Sequence, residues 1–222
     1  MFFMSRYLFD KQLKMLNHRI LEIGKMTIDQ ITSSFDALLN KDEKRLDMTA
    51  EKDLEVNAKR DKIEEMCVRM IALQQPFASD LRYLFTCIKI VSDFERIADY
   101  AVDICKIGKR ILDCEFMVEI KYIITMKDVL VKMLEEVIIA FDNKDEKMAL
   151  EICKMDDEID LQYSKLYVDL SPKMIDGSID DVNQLTQILF AAKYMERGGD
   201  HVTNICESII YQKTGEFKAL NL

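Results

Sequence analysis

An all-α protein, six long helices forming two tandem, quasi-symmetric three-helix bundles, is predicted by three features of this sequence. Turn-forming residues are too scarce for a many-stranded sheet, since 222 residues include six Gly and two Pro. Apolar residues keep a helical period over stretches of about 25 to 35 residues between breaks such as Pro76 and Pro172. The two halves of the chain also repeat short strings in register.

The first helix is expected over 5–40, where Asn40-Lys41-Asp42 forms a joint too short for anything but an antiparallel neighbour. The second, 43–73, stops short of Pro76. The third, 77–112, carries Ile90, Phe94, Ile97, Ala101 and Ile104 at helical spacing, a stripe that points into the bundle. The fourth, 116–142, runs to a second short joint, Asn143-Lys144-Asp145, and the fifth, 145–174, reaches Pro172 near its end. In the sixth, 179–213, Ala191, Met195, Gly198, Val202 and Ile205 make the corresponding stripe. The expected units are 1–113 and 114–222, packed as one body.

Both joints read Asn-Lys-Asp-Glu-Lys, and each stands between the first and second helix of its half. The string Asp53-Leu54-Glu55-Val56-Asn57 returns as Asp156-Asp157-Glu158-Ile159-Asp160. Further on, Glu95-Arg96-Ile97-Ala98-Asp99 with Asp103-Ile104-Cys105 returns as Glu196-Arg197-Gly198-Gly199-Asp200 with Asn204-Ile205-Cys206. Two acidic strings that keep their mutual placement in both halves indicate a duplicated unit.

Composition narrows the function. The net charge of −9 disfavours a nucleic-acid partner, because phosphate backbones are bound mainly by Lys and Arg. The six cysteines, Cys67, Cys87, Cys105, Cys114, Cys153 and Cys206, form no C-x-x-C pair and read as buried free thiols in a reducing compartment. No signal peptide or transmembrane segment is expected, so the protein is placed in the cytoplasm. A Gly-rich phosphate loop, a G-x-S-x-G elbow and an H-E-x-x-H motif are all missing, and an enzyme is not expected. The fourteen methionines read as core filling.

The chemistry-bearing residues are carboxylates. Residues four apart share a helix face, so Glu95 with Asp99 and Glu196 with Asp200 form pairs that can share a cation. Asp53 with Asn57 and Asp156 with Asp160 make matching pairs on the second helix of each half, and antiparallel packing sets them opposite. With 40 acidic residues, about seven such pairs arise by chance, so one pair alone is a solvated face. Recurrence in register favours metal sites. Asp103 in the first half, and Asn204 and Glu207 in the second, continue the polar rows as possible further ligands, together with Asn57. Donors without thiolate suit Mg²⁺, Mn²⁺ or iron better than structural zinc. His201 points about 100° away from Asp200 and is assigned a rim or packing role rather than ligation, and His18 a surface one. Gly198-Gly199 costs about 1 kcal/mol per glycine inside a helix, which points to a close approach of another backbone, with mere tolerance of poor helix formers as the alternative. A carboxylate-bridged metal store or oxidase of the ferritin kind is the alternative, although the Glu-x-x-His motif of those bundles is missing. A purely structural helical scaffold is a third.

Leu73-Gln74-Gln75-Pro76-Phe77-Ala78-Ser79-Asp80-Leu81-Arg82, followed by the two acidic strings of the third and sixth helices, resembles the signature of the PhoU family of phosphate-transport accessory proteins. The likeness runs from about Arg6 to Phe217. It implies surface multinuclear metal clusters of iron, zinc, Mn²⁺ or Mg²⁺, with Asp53, Glu95, Asp99, Asp156, Asp160, Glu196 and Asp200 as ligands. It implies a negative regulator whose partners are the ATPase subunit of the high-affinity phosphate ABC transporter and the sensor histidine kinase of the phosphate regulon. A homodimer or higher oligomer, held at the inner face of the membrane through those partners, is the implied state. Three departures are Ala98 where the family often has Gly, Asn57 in place of a carboxylate, and Lys106 opposite Glu207. With fewer carboxylates, the first site is expected to bind metal more weakly.

Overall fold

Short-range chemistry accounts for most of the helix ends in the computed structural model, which describes the backbone of residues 2–113 and 120–216 and side chains from Tyr7 onward. In chain order the helices are α1 (Phe2–Asn40), α2 (Glu43–Glu51), α3 (Asp53–Gln74), α4 (Ala78–Arg110), α5 (Ile120–Asn143), α6 (Glu146–Asp176) and α7 (Ile179–Thr214). Among the described residues there is no strand. Cys114, the expected domain boundary at 113/114 and the first residues expected for the fourth helix lie at or within positions outside the described residues.

The duplicated joints adopt one conformation. Lys41 and Lys144 are both left-handed, with φ of 53° and 52°. In each joint the lysine N–H bonds a carbonyl three residues back and the following aspartate N–H one five back, at 3.2 and 2.9 Å in both cases. Asp42 then caps α2 by accepting from the Arg45 N–H, and Asp145 caps α6 by accepting from Lys147 and Met148. A repeat of sequence is here a repeat of hydrogen bonds.

One expected helix is divided. The span 43–73 is interrupted at Lys52, which stays helical at φ −62° and ψ −19° while its N–H bonds Ala50 O and its carbonyl accepts from the Glu55 N–H. The interruption makes Asp53 the first residue of α3, where the helix dipole favours it and Glu55. Pro172 does not end α6, which continues to Asp176. Its missing N–H leaves the Val168 carbonyl without the usual helical donor, on a stretch where Tyr167 and Val168 are exposed, and Ser171 Oγ donates to the Tyr167 carbonyl at 2.7 Å. At the next turn Ser178 and Asp181 close a capping box that starts α7.

The predicted stripes are the core. Ile90, Phe94, Ile97, Ala101 and Ile104 are buried, as are Ala191, Met195, Val202 and Ile205. α4 and α7 lie antiparallel at the centre, since Thr86 meets Ser208 while Arg110 meets Gln187. α3 and α1 pack on α4, while α6 and α5 pack on α7. A single apolar cluster joins α1, α3, α4, α5, α6 and α7. No described helix is long and apolar enough to cross a membrane.

Candidate metal centres

In each half a polar row on the central helix faces the preceding helix across an antiparallel seam. In the second half the seam brings Asp156 and Asp160 of α6 to Glu196 and Asp200 of α7, close enough that neighbouring carboxylate charges help raise the pKa of Asp156, Asp160 and Asp200. Asp156 is buried, with only Thr203 Oγ donating to its Oδ2 at 3.4 Å, and its Oδ1 has no hydrogen-bond partner. Burial above all, then the charges of Asp160 and Asp200, pushes its pKa up to about 7. Asp160 and Asp200 are also raised, by burial first and then by Glu196. Lys193 donates to Glu196 Oε1 at 2.5 Å, which leaves Glu196 Oε2 buried without a partner.

The glycine pair explains how Asp156 gets in. A Cβ on Gly199 would stand 2.0 Å from Asp156 Oδ1, and one on Gly198 would stand 3.0 Å from Leu130 Cδ2. Side chains from α6 and α5 therefore fill the space, which corrects the expected approach of another backbone. Gly199 is what permits a carboxylate to lie against the α7 backbone.

The first half has the same frame with other occupants. Asn57 donates to Asp53 Oδ2 at 2.7 Å, while Asp53 Oδ1 and Asn57 Oδ1 are buried without partners. Glu95 is buried and sits between two guanidinium groups, Arg60 at 3.3 Å and Arg96 at 3.6 Å, and Arg96 also reaches Asp99 at 3.4 Å. Burial and then the Asp99 charge raise the Glu95 pKa, against the opposing pull of Arg60 and Arg96. Asp53 is raised by burial and then by Asp99. Gln30 of α1 comes up beside Asp53, near enough to favour its charge, yet both amide atoms of this buried side chain lack a hydrogen bond.

The seams thus unite all seven principal candidates, four in the second half and three in the first, where Asn57 joins Asp53. Contrary to the expectation of surface motifs, Glu95 and Asp156 are buried. The other candidates divide. Asp103 accepts from Lys106 at 2.7 Å and faces a groove with Arg110, Gln187 and Tyr194, away from Asp53. Asn204 is half-buried, and Glu207 lies where its charge acts on the Cys153 and Cys206 thiols. His201 is half-buried, its Nδ1 2.8 Å from Asp93 and its Nε2 3.1 Å from the Tyr100 hydroxyl. His18 is exposed and pairs with Glu22 at 3.4 Å.

The donors suit a hard cation: oxygen only, mutually repelling, and with buried acceptors that no proton donor satisfies. They adjoin rather than converge, for among the described residues no three of His, Cys, Asp and Glu form a group ready to hold a metal ion. Sequence reasoning missed Gln30, Arg60, Lys193 and Thr203. Gln30 interrupts the apolar face of Ile20, Ile23 and Ile31, and Arg60 lies three residues beyond Asn57 on the face of Asp53, so both left a periodic signal.

Fold and seams together define a class, all-α proteins built from a duplicated three-helix unit with an acidic row on the central helix of each copy. The chain belongs to the PhoU family: the PhoU domain model matches twice, at 20–108 and 123–209. It is 38% identical over 219 residues to the phosphate-specific transport system accessory protein PhoU homolog of Clostridium acetobutylicum, covering 98% of this chain and 100% of that one. The homolog of the same name from Streptococcus pneumoniae serotype 4 is 30% identical, over 96% and 98% of the two chains. Among solved structures, PhoU from Streptococcus pneumoniae superposes with a TM-score of 0.89 at 28% identity, covering 95% of this chain and 99% of that one. PhoU from Pseudomonas aeruginosa superposes equally well, with a TM-score of 0.89 at 28% identity over 94% and 100%.

Proposed function

We propose that this protein is a regulatory accessory component of a phosphate-specific transport system, and not an enzyme. It restrains the high-affinity phosphate ABC transporter and helps the sensor histidine kinase silence the phosphate-starvation response when phosphate is plentiful. The observation that carries this is the end-to-end match, at 38% identity, to a relative named as such an accessory protein. The protein acts in the cytoplasm, as a homodimer or higher oligomer, against the transporter's ATPase subunit and the kinase. Exposed Leu73, Phe77, Leu81 and Phe85, around the α3–α4 turn, supply apolar surface for a protein contact.

Metal belongs to the same proposal. Asp156, Asp160, Glu196 and Asp200 hold a multinuclear cluster of hard or intermediate cations, and Asp53, Glu95 and Asp99 a weaker one. Bound cations supply positive charge that relieves the repulsion within each seam. The residues orient the donors, and Lys193 and Arg60 hold glutamates in place. Deleting the gene should raise phosphate-starvation reporter expression in phosphate-rich medium, with restoration by the intact gene. An unchanged reporter level would count against the regulatory role.

A further inference from the structure

The Cys153 and Cys206 thiols neighbour each other across the α6–α7 seam, one helical turn along from the place where Thr203 Oγ donates to Asp156 Oδ2 at 3.4 Å, a pairing that neither family membership nor the acidic rows explain. Gly199 and Cys206 lie seven residues apart on one face of α7, Asp156 and Cys153 three apart on one face of α6, and Asp156 approaches the α7 backbone through the gap at Gly199. The thiols therefore continue the contact that the glycine opens.

Exposure and the repeat single out this pair. Cys67, Cys87, Cys105 and Cys206 are buried, and among the described cysteines only Cys153 is partly open to solvent. In the first half Cys105 occupies the position of Cys206, but Ala50 stands where Cys153 stands, and Cys105 packs in a cluster with Leu46 and Ala37. Cys67 and Cys87 also neighbour each other, but both are fully buried and Cys87 contacts the Tyr83 hydroxyl, so an oxidant has no route to them.

We propose that Cys153 and Cys206 are a redox site, oxidised by a peroxide to an intramolecular disulfide that ties α6 to α7 next to Asp156. Cys153 sulfur takes one oxygen from the peroxide, giving a sulfenic acid and one water when the peroxide is hydrogen peroxide. Cys206 sulfur then attacks the Cys153 sulfur, the S–S bond forms, and the sulfenic hydroxyl leaves with the Cys206 proton as a second water. The two thiols lose two electrons and the peroxide gains them. In a reducing compartment such a bond is transient, which suits a sensor rather than a staple. The proposal does not depend on metal binding.

The test uses the whole reduced protein in chelator, treated with hydrogen peroxide, then denatured for thiol counting and digested for mass spectrometry. Of the six thiols, the two belonging to one bridge should disappear, a Cys153–Cys206 linked peptide should appear, and dithiothreitol should reverse both. The Cys206→Ala variant should stop at a Cys153 sulfenic acid that dimedone traps. Should that variant fail to fold, Cys153→Ser, at the more open position, should abolish the linked peptide and leave the thiol of Cys206 intact. Six unreacted thiols, a bridge between other cysteines, or wild-type Cys153 oxidised alone to the sulfinic acid would each overturn the proposal.

Discussion

Asp156 concentrates the chemistry of the second seam in one side chain. Burial raises its pKa to about 7 from an ordinary 3.8, so in the folded state it keeps a proton that the unfolded chain has already released. The native state binds more protons between these values, and stability must fall as pH rises through that window. The stabilisation is complete below about pH 4 and gone once Asp156 ionises near neutrality. We expect the metal-free protein, melted in chelator, to lose melting temperature from about pH 5 to pH 8, and Asp156→Asn to lose distinctly less. A residual slope of the same sign should remain, because Asp53, Glu95, Asp160 and Asp200 are also raised. Equal slopes in the two proteins would show that Asp156 is ionised throughout. Its position among four acids was legible from the i, i+4 spacing. Its burial was not, because it depends on a missing Cβ on another helix.

The α3–α4 and α6–α7 pairs are copies of one element that have diverged in what neutralises them. In the first, Arg60 and Arg96 already hold Glu95, and Asn57 ties up one oxygen of Asp53. In the second, Lys193 pairs with Glu196, and Lys193 also lies over the Tyr163 ring at 5.3 Å. A cation entering the first seam must compete with a guanidinium on Glu95, which adds a second reason, beside carboxylate count, to expect weaker binding there. Neutralising Glu196 and Asp200 to Gln and Asn should remove the tightly held metal, raise the melting temperature in chelator and abolish stabilisation by added metal. The same change at Glu95 and Asp99 should release less metal and leave Arg60 without its buried partner, so it should lower stability in chelator. Elemental analysis with melting curves distinguishes these outcomes, and equal metal content in wild type and both variants would exclude both seams.

At the scale of the whole molecule the two halves share a core. A Cβ on Gly24 of α1 would stand 2.8 Å from Ile138 Cδ1 of α5 and 3.0 Å from Phe94 Cζ of α4, so the glycine lets elements of both halves meet. The central seam adds polar links at equivalent positions of the repeat: His201 reaches Asp93, and Tyr100 stacks on Tyr194 with ring centroids 5.5 Å apart. The two units, although separate in sequence, should therefore unfold in one cooperative transition. Phe94→Ala should destabilise by about 3–5 kcal/mol and still give one transition, because the cavity opens in the shared core. Two resolved calorimetric transitions, only one of them shifted by the substitution, would mean that the halves fold independently.

Local physics determined what the sequence could say about this protein. Helical period, the two Asn-Lys-Asp joints and the i, i+4 carboxylates act over a few residues, so helices, duplication and acidic rows were all readable before any contact was known. The interruption at Lys52 was not, since no proline or glycine marks it. Tertiary structure alone decided that Arg60 closes one seam, that Gln30 reaches Asp53, that Gly199 admits Asp156, and that Cys153 meets Cys206 while Cys105 faces alanine. Each of these depends on the axial register of one helix against another. That register is set by side chains interlocking between helices distant in the chain, and a helix's own period carries no record of it.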